Sequence, residues 1–313
     1  MSDPPLVSIL TPTFRHGAYL RACIDSILAQ TFADWELLVR EDGQLDPGLA
    51  ADYDDPRIHL SGQEHRGLWR LAETYNELLA ETRGELVAVL EGDDLWPADK
   101  LEAQVAIHHR LPDVVLSFGE AERVGVDGTV LSRWRHEGLP VDEPFDARAA
   151  LLRGCPIAAV TAIARRSALV EVGGFVQPEG MPAVDYPTWL ALAGEGPFYA
   201  SSALLGKWRV HETNSSSLHI RALAAGGRTL AVGRASPEER RAIVRCWNRI
   251  EGDVEASIGR SALGARDWTQ SRAAFRRAVV LRARSRPLPV LGVVKAAAGV
   301  ALGLLHLSRS PRP

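Results

Sequence analysis

Cysteine is scarce in this chain. Cys23, Cys155 and Cys246 are the whole complement, odd in number and far apart, with no CxxC pair. That spacing argues against a zinc site or a redox motif and suits three reduced thiols in a cytoplasmic protein. Lysine is nearly absent as well: Lys100, Lys207 and Lys295 stand among 36 basic side chains. The opening MSDPPLVSIL has no basic segment and no long apolar run, so no signal peptide is expected. No GxGxxG follows the first apolar run and no GxxxxGK[ST] occurs anywhere, which disfavours a dinucleotide fingerprint and a P-loop. Internal repeats and low-complexity tracts are missing too. The net charge of −3 gives no footing for a nucleic-acid partner, and none is expected. With 46% hydrophobic and 24% charged residues, the composition is that of a globular protein, and 313 residues suit a large domain plus an appendage.

What is present is a regular alternation. LVSILTPT is a short apolar, β-branched run that ends in a turn, and AYLRACIDSILAQ places Leu20, Ile24, Ile27 and Leu28 at helical spacing. WELLVREDG, RIHLSG and LVAVLEGDD read as further strands, with GLWRLAETYNELLAET as an amphipathic helix before the last. Strands alternating with helices over the first hundred residues predict an α/β fold with a mostly parallel central sheet flanked by helices. In such sheets ligands sit at the carboxyl ends of the strands. Three polar clusters fall there: Thr11-Pro12-Thr13-Phe14, Glu41-Asp42-Gly43 and Glu91-Gly92-Asp93-Asp94. Each alone is an ordinary strand end, but three together predict one rim. Carboxylates as crowded as Glu91, Asp93 and Asp94 repel one another and are costly to bury unless paired or bound to a metal.

The middle of the chain carries a hairpin turning at Asp127-Gly128, a strand and short helix closing at Gly173-Gly174, a helix from DYPTWLALAGEG and a last strand in ALLGKWRVHETNSSS. Beyond about Ile220 the pattern is helical, and two domains are expected, 1–220 and 221–313. From Arg260 to Pro313 ten arginines and Lys295 face a single acid, Asp267, so an acidic body carries a basic tail. Within it, residues 287–307 form an apolar stretch interrupted only by Lys295. A helix on an anionic membrane surface, a helix packed on the body and a membrane span are the three readings, the first preferred.

The ordered motifs resemble the family 2 glycosyltransferases of GT-A fold. VSILTPTFRHGAYLRACIDSILAQTFADWELLVREDG is similar to that family's opening strand, turn, helix and acidic strand end. LAETYNELLAETRGELVAVLEGDDLWP resembles its Asn-bearing helix and DxD region, and VGGF, VDYPTWLALA and KWRVHETNSSS resemble its later segments. The resemblance covers Pro5 to Ser217 and implies an inverting, metal-dependent transfer of a sugar from a nucleotide-diphosphate sugar, a UDP-sugar in the first instance. The acceptor would be a hydroxyl, a lipid-linked glycan among the candidates, in bacterial polysaccharide or glycoconjugate assembly. A cytoplasmic enzyme, peripheral on the membrane through its tail, is expected.

Asp93 would hold Mg²⁺ or Mn²⁺, which as a hard cation takes oxygen ligands and neutralises the departing diphosphate, and His211 would complete the metal site. Glu91 stands where the family has the first Asp of DxD. Asp42 or Glu41 would accept from the base, with Thr11, Pro12 and Phe14 around it. Arg209 would meet a phosphate or a core carboxylate. Asp185 would be the general base, although an Asp before a Pro-bearing first turn also reads as a helix cap. Glu41, Glu91 and Val184 depart from the family pattern. They leave a degenerate sugar-nucleotide-binding scaffold as the main alternative, with a nucleotidyltransferase behind it.

Overall fold

A computed structural model describes residues 4–285; the 287–307 stretch lies outside them. The chain divides into two compact units. The first comprises the residues up to Leu151 together with Cys155–Ser217, and the second Leu152–Gly154 with the residues from Leu218 on.

The first unit is built on a nine-stranded sheet. Its strands are β1 (Val7–Thr13), β2 (Trp35–Glu41), β3 (Ile58–Gly62), β4 (Leu86–Val89), β5 (Leu116–Val124), β6 (Val130–Trp134), β7 (Pro144–Phe145), β8 (Ile163–Arg165) and β9 (Phe198–Arg209). Along the sheet they run β3-β2-β1-β4-β8-β5-β9-β7, with β6 attached to β5. The first four, contiguous in the sheet, are parallel, as the sequence predicts. The other half is mixed: β8 is antiparallel to β4 and β5, whereas β5 and β9 run parallel.

Helices α1 (Ala18–Leu28), α2 (Pro47–Asp52), α3 (Leu71–Glu81), α4 (Lys100–Arg110), α5 (Arg148–Leu152), α6 (Arg166–Glu171), α7 (Asp185–Leu192) and the single turn α8 (Ser215–Leu218) follow in chain order. α1 forms because Leu20, Cys23, Ile24 and Ile27 recur on one face, which is buried together with Val7, Ile9, Leu37, Val39, Leu86 and Ala88. Pro12 is tolerated inside β1 because the ladder with β4 has already stopped. The Leu10 carbonyl accepts from the Leu90 N–H at 3.0 Å, so the missing N–H two residues on faces no strand.

The second unit is helical, with α9 (Ile220–Arg234), α10 (Arg240–Gly264) and α11 (Trp268–Ser285). Trp247 of α10 donates its indole N–H to the Leu152 carbonyl at 3.0 Å. Among the described residues no helix is long and apolar enough to cross a membrane.

Candidate active site

β2, β1 and β4 are neighbours and parallel, so their carboxyl ends open on one rim. Thr13 is level with Glu41, and β4 runs on through Leu90 into Glu91-Gly92-Asp93-Asp94. Gly92 permits this approach: a Cβ there would lie 2.5 Å from Thr13 Oγ1 and 3.0 Å from His16 Nδ1. The carboxylate oxygens of Glu91, Asp93 and Asp94 lie within 4.8 Å of one another.

Asp93 is buried. Its Oδ2 faces His211 Nε2 at 2.9 Å, accepts from Asn214 Nδ2 at 3.4 Å and lies 3.8 Å from His16 Nε2. Its Oδ1 is buried with no hydrogen-bond partner among the described residues. A buried carboxylate oxygen without a donor is rare and calls for an explanation. A hard cation is the group that this all-oxygen cluster with an adjoining imidazole fits.

The electrostatics agree. Burial, then the Asp93 and Glu91 charges, push the Asp94 carboxyl well above the ordinary range, in spite of the Arg209 main-chain N–H and guanidinium beside it. Burial and the charges of Asp93 and Asp185 push Glu91 up to about 8. His16 is held below its usual value by burial, which outweighs the attraction of Asp93. The loop is short of positive charge.

It is also held firmly. Leu95 and Lys207 exchange main-chain hydrogen bonds of 3.1 and 2.8 Å, fastening the chain just past Asp94 to β9. Arg209, at the end of β9, donates its main-chain N–H to Asp94 Oδ1 and its Nε to the Asp93 carbonyl, both at 2.8 Å. Its Nη1 reaches the Val126 carbonyl at 3.0 Å, and the guanidinium sits 4.8 Å over the Tyr19 ring. The sequence offers a phosphate or a core carboxylate as its partner; the structure gives its Nε and Nη1 main-chain carbonyls.

Asp185 opens α7. Burial raises its carboxyl, and its charge in turn raises Glu91 and the Cys155 thiol, so the three groups share one environment. Thr188 fastens this turn, accepting from the Val176 N–H at 2.9 Å and donating to the Val184 carbonyl at 2.6 Å. The preceding loop is tied to α3: Asn76 donates to the Phe175 carbonyl at 3.0 Å and accepts from its N–H at 2.7 Å. Gln177 accepts from the Ala72 N–H at 3.0 Å.

At the β2 end, burial opposes the Asp42 charge. Hydrogen bonds from Gln63 and from the Arg66 and Gly67 N–H groups, at 2.7–2.9 Å, nevertheless hold its carboxyl below the usual range. Both Asp42 oxygens therefore organise the loop after β3. Glu41 accepts the Arg15 N–H at 2.8 Å and is raised by burial. Phe14, partly exposed, stacks on His65 with centroids 4.4 Å apart. Thr11 and Pro12 lie buried within β1, the Thr11 hydroxyl without a hydrogen-bond partner among the described residues.

Of the residues predicted at the site, Glu91, Asp93, Arg209 and His211 thus meet directly, with Asp185 in electrostatic reach. Glu41, Asp42 and Phe14 cluster along the rim with His65. The sequence does not single out His16, Tyr19 or Asn214. Their signal was slight: His16 follows Thr13 by three residues at a strand end, and Asn214 follows His211 by the same interval.

Comparison with known proteins settles the family. The model of Glycosyl transferase family 2 matches residues 8–173, more than half of the chain. This chain belongs to glycosyl transferase family 2. A Bacillus subtilis relative named for teichuronic acid biosynthesis, the glycosyltransferase TuaG, is 29% identical over 220 residues, 68% of this chain and 82% of that one. The Escherichia coli UDP-Glc:alpha-D-GlcNAc-diphosphoundecaprenol beta-1,3-glucosyltransferase WfgD is 28% identical over 223 residues, 69% of this chain and 81% of that one. Among solved structures, Staphylococcus aureus TarS 1–349 superposes with a TM-score of 0.59 at 14% identity, covering 88% of this chain and 80% of that one. The Pyrobaculum calidifontis mannosyltransferase PcManGT, in complex with GDP-Man and Mn²⁺, gives a TM-score of 0.57 at 18% identity, covering 96% and 81%. At such identities the structural likenesses bear on the fold alone. The family 2 member described here is a glycosyltransferase of GT-A fold.

Proposed function

We propose that this glycosyltransferase moves a sugar, with inversion, from a UDP-sugar to a hydroxyl acceptor in the assembly of a lipid-linked glycan. The observation that carries the donor side is Asp93, whose buried Oδ1 has no donor while Glu91 and Asp94 crowd it. Asp93 and His211, 2.9 Å apart, would hold a divalent ion, Mg²⁺ or Mn²⁺, and Glu91 would face the ribose or water around it. When bound, that ion acts as a Lewis acid toward the departing diphosphate. Asn214 orients His211 by accepting its main-chain N–H at 2.6 Å. Asp42 and Glu41, with Thr11, Pro12 and Phe14, form the base end of the pocket, and Arg209 serves the donor by fixing the loop that carries Asp93.

Asp185 is the base of this reading. The acceptor oxygen attacks the anomeric carbon, the bond from that carbon to the diphosphate oxygen breaks, and the hydroxyl proton passes to the Asp185 carboxylate. Burial raises its proton affinity, which favours proton capture in the transition state. The relative WfgD, named for a UDP-Glc donor and a diphosphoundecaprenol-linked acceptor, supports the donor and the acceptor class. The sequence division at residue 220 belongs to the same proposal, donor chemistry lying in 1–220 and the basic helical extension in 221–313, with the 287–307 segment touching the cytoplasmic membrane face.

Isothermal titration with UDP, GDP and dTDP, with and without Mn²⁺, tests the donor side on wild type and Asp93→Ala. UDP binding that needs Mn²⁺ and vanishes in the variant is the expected result. Metal-independent binding, or binding retained by the variant, would overturn the assignment of Asp93.

A further inference from the structure

α11 has two unlike faces. Toward α10 it presents small residues: Ser271, Ala274 and Ala278 are buried, and Ser271 donates its hydroxyl to the Gly259 carbonyl at 3.0 Å. Arg277 pairs with Glu255 at 3.0 Å and Arg282 with Asp253, closing the flanks of this contact. The remaining face is open. Trp268, Arg272, Arg276, Val280 and Arg284 follow at intervals of four, each step turning about 40° around the helix, so Trp268, Arg272 and Arg276 share one strip of surface and Val280 and Arg284 carry it on around the exposed side. Trp268 is 46% and Val280 49% exposed, and Leu263, just before α11, is 41% exposed. Arg272, Arg276 and Arg284 are exposed and make no ion pair among the described residues.

Guanidinium groups without carboxylates, interleaved with a tryptophan and aliphatic side chains, form a surface of mixed character. A polyanion alone would need the charges and not the exposed apolar groups. A bilayer with anionic headgroups answers both, taking the guanidiniums at the phosphate level and the indole at the boundary beneath it. In sequence, the apolar residues 287–307 follow directly. We propose that this stripe of α11 is a docking face for an anionic lipid surface, which adds a folded, charge-reading contact to whatever the tail supplies. The proposal does not depend on which donor or acceptor the enzyme uses.

The test is flotation of the full chain with phosphatidylcholine vesicles, with and without phosphatidylglycerol, across a salt series. Each basic side chain near such a surface contributes about 1 kcal/mol, a factor of about five. Arg272→Gln/Arg276→Gln should therefore lower partitioning onto the phosphatidylglycerol vesicles about 25-fold. Arg272→Lys/Arg276→Lys should retain it, which separates charge from folding, and Trp268→Ser should weaken it without changing its salt dependence. Wild-type binding that is equal on both vesicles, or a glutamine variant that binds like wild type, would overturn the proposal. Loss confined to a soluble polyanion such as heparin would overturn it in favour of a polymeric partner.

Discussion

Asp93 and His211 lie 118 residues apart in the chain and 2.9 Å apart in the fold. The sequence shows an acidic strand end and a histidine after the last strand; their meeting rests on β4 and β9 ending near one another. Side-chain type is legible where the proposed chemistry calls for it, as at Asp93, Asp185 and His211. It is not legible where a residue works through distant neighbours. His16 and Asn214 reach Asp93 only because α1 starts, and the loop after β9 turns, beside it. Asp185→Asn keeps the shape and removes the proposed base, so single-turnover kinetics should show transfer slowed about 10²–10⁴-fold with UDP affinity unchanged. A second residue gives a pH signature remote from the site. His108 is buried, faces Ser117 Oγ at 3.0 Å and is pushed down to about 4 by burial and by Arg165. Between pH 6.5 and about 4 the unfolded chain binds this proton and the folded one does not. Stability therefore falls as pH drops through that window, by about 3 kcal/mol in all. Urea titrations at successive pH values should show the slope, and His108→Gln should flatten it.

The strands and helices that position the site carry strong patterns: β1, β2 and β4 as apolar runs, α1 and α3 as amphipathic repeats. The short elements α2, α5 and β7 do not, because five or six residues, or two, are too few to display a period. The mixed half of the sheet was also hidden, since the β5–β9 pairing joins strands about eighty residues apart and depends on β8 entering antiparallel between β4 and β5. At this scale the join between α3 and the loop before α7 matters most. Gly174 adopts φ +91°, and a Cβ there would meet Asn76 Oδ1 at 2.2 Å. Asn76→Ala leaves both main-chain groups of Phe175 without this partner, at about 1–3 kcal/mol for each group that stays buried. The variant should melt earlier and, in kinetics below its melting range, lose turnover more than donor affinity, because the loop leads to Asp185.

Each unit has its own packing. In the helical unit, Gly227 of α9 lets the Trp247 ring approach so closely that a Cβ would lie 2.4 Å from it. Gly227→Val should lower the calorimetric transition of that unit, while UDP titration of the variant matches wild type. The uneven charge along the chain was legible from residue counts; that α11 spends Arg277 and Arg282 on ion pairs and leaves Arg272, Arg276 and Arg284 exposed is a matter of which face meets α10.

The clamp between β9 and the acidic loop has one more consequence. Tied through Leu90 to β1, and through Leu95 and Arg209 to β9, the loop cannot swing outward to ease its own crowding, which is felt instead in the raised proton affinities of Glu91 and Asp94. Any ion the loop captures should then raise the melting temperature, with a gain of about 2.7 kcal/mol at a hundred times the dissociation constant. Heat resistance thus becomes a gauge of occupancy that needs neither donor nor acceptor, and Mg²⁺, Mn²⁺ and Ca²⁺ can be ranked with nothing but a thermometer and a chelator.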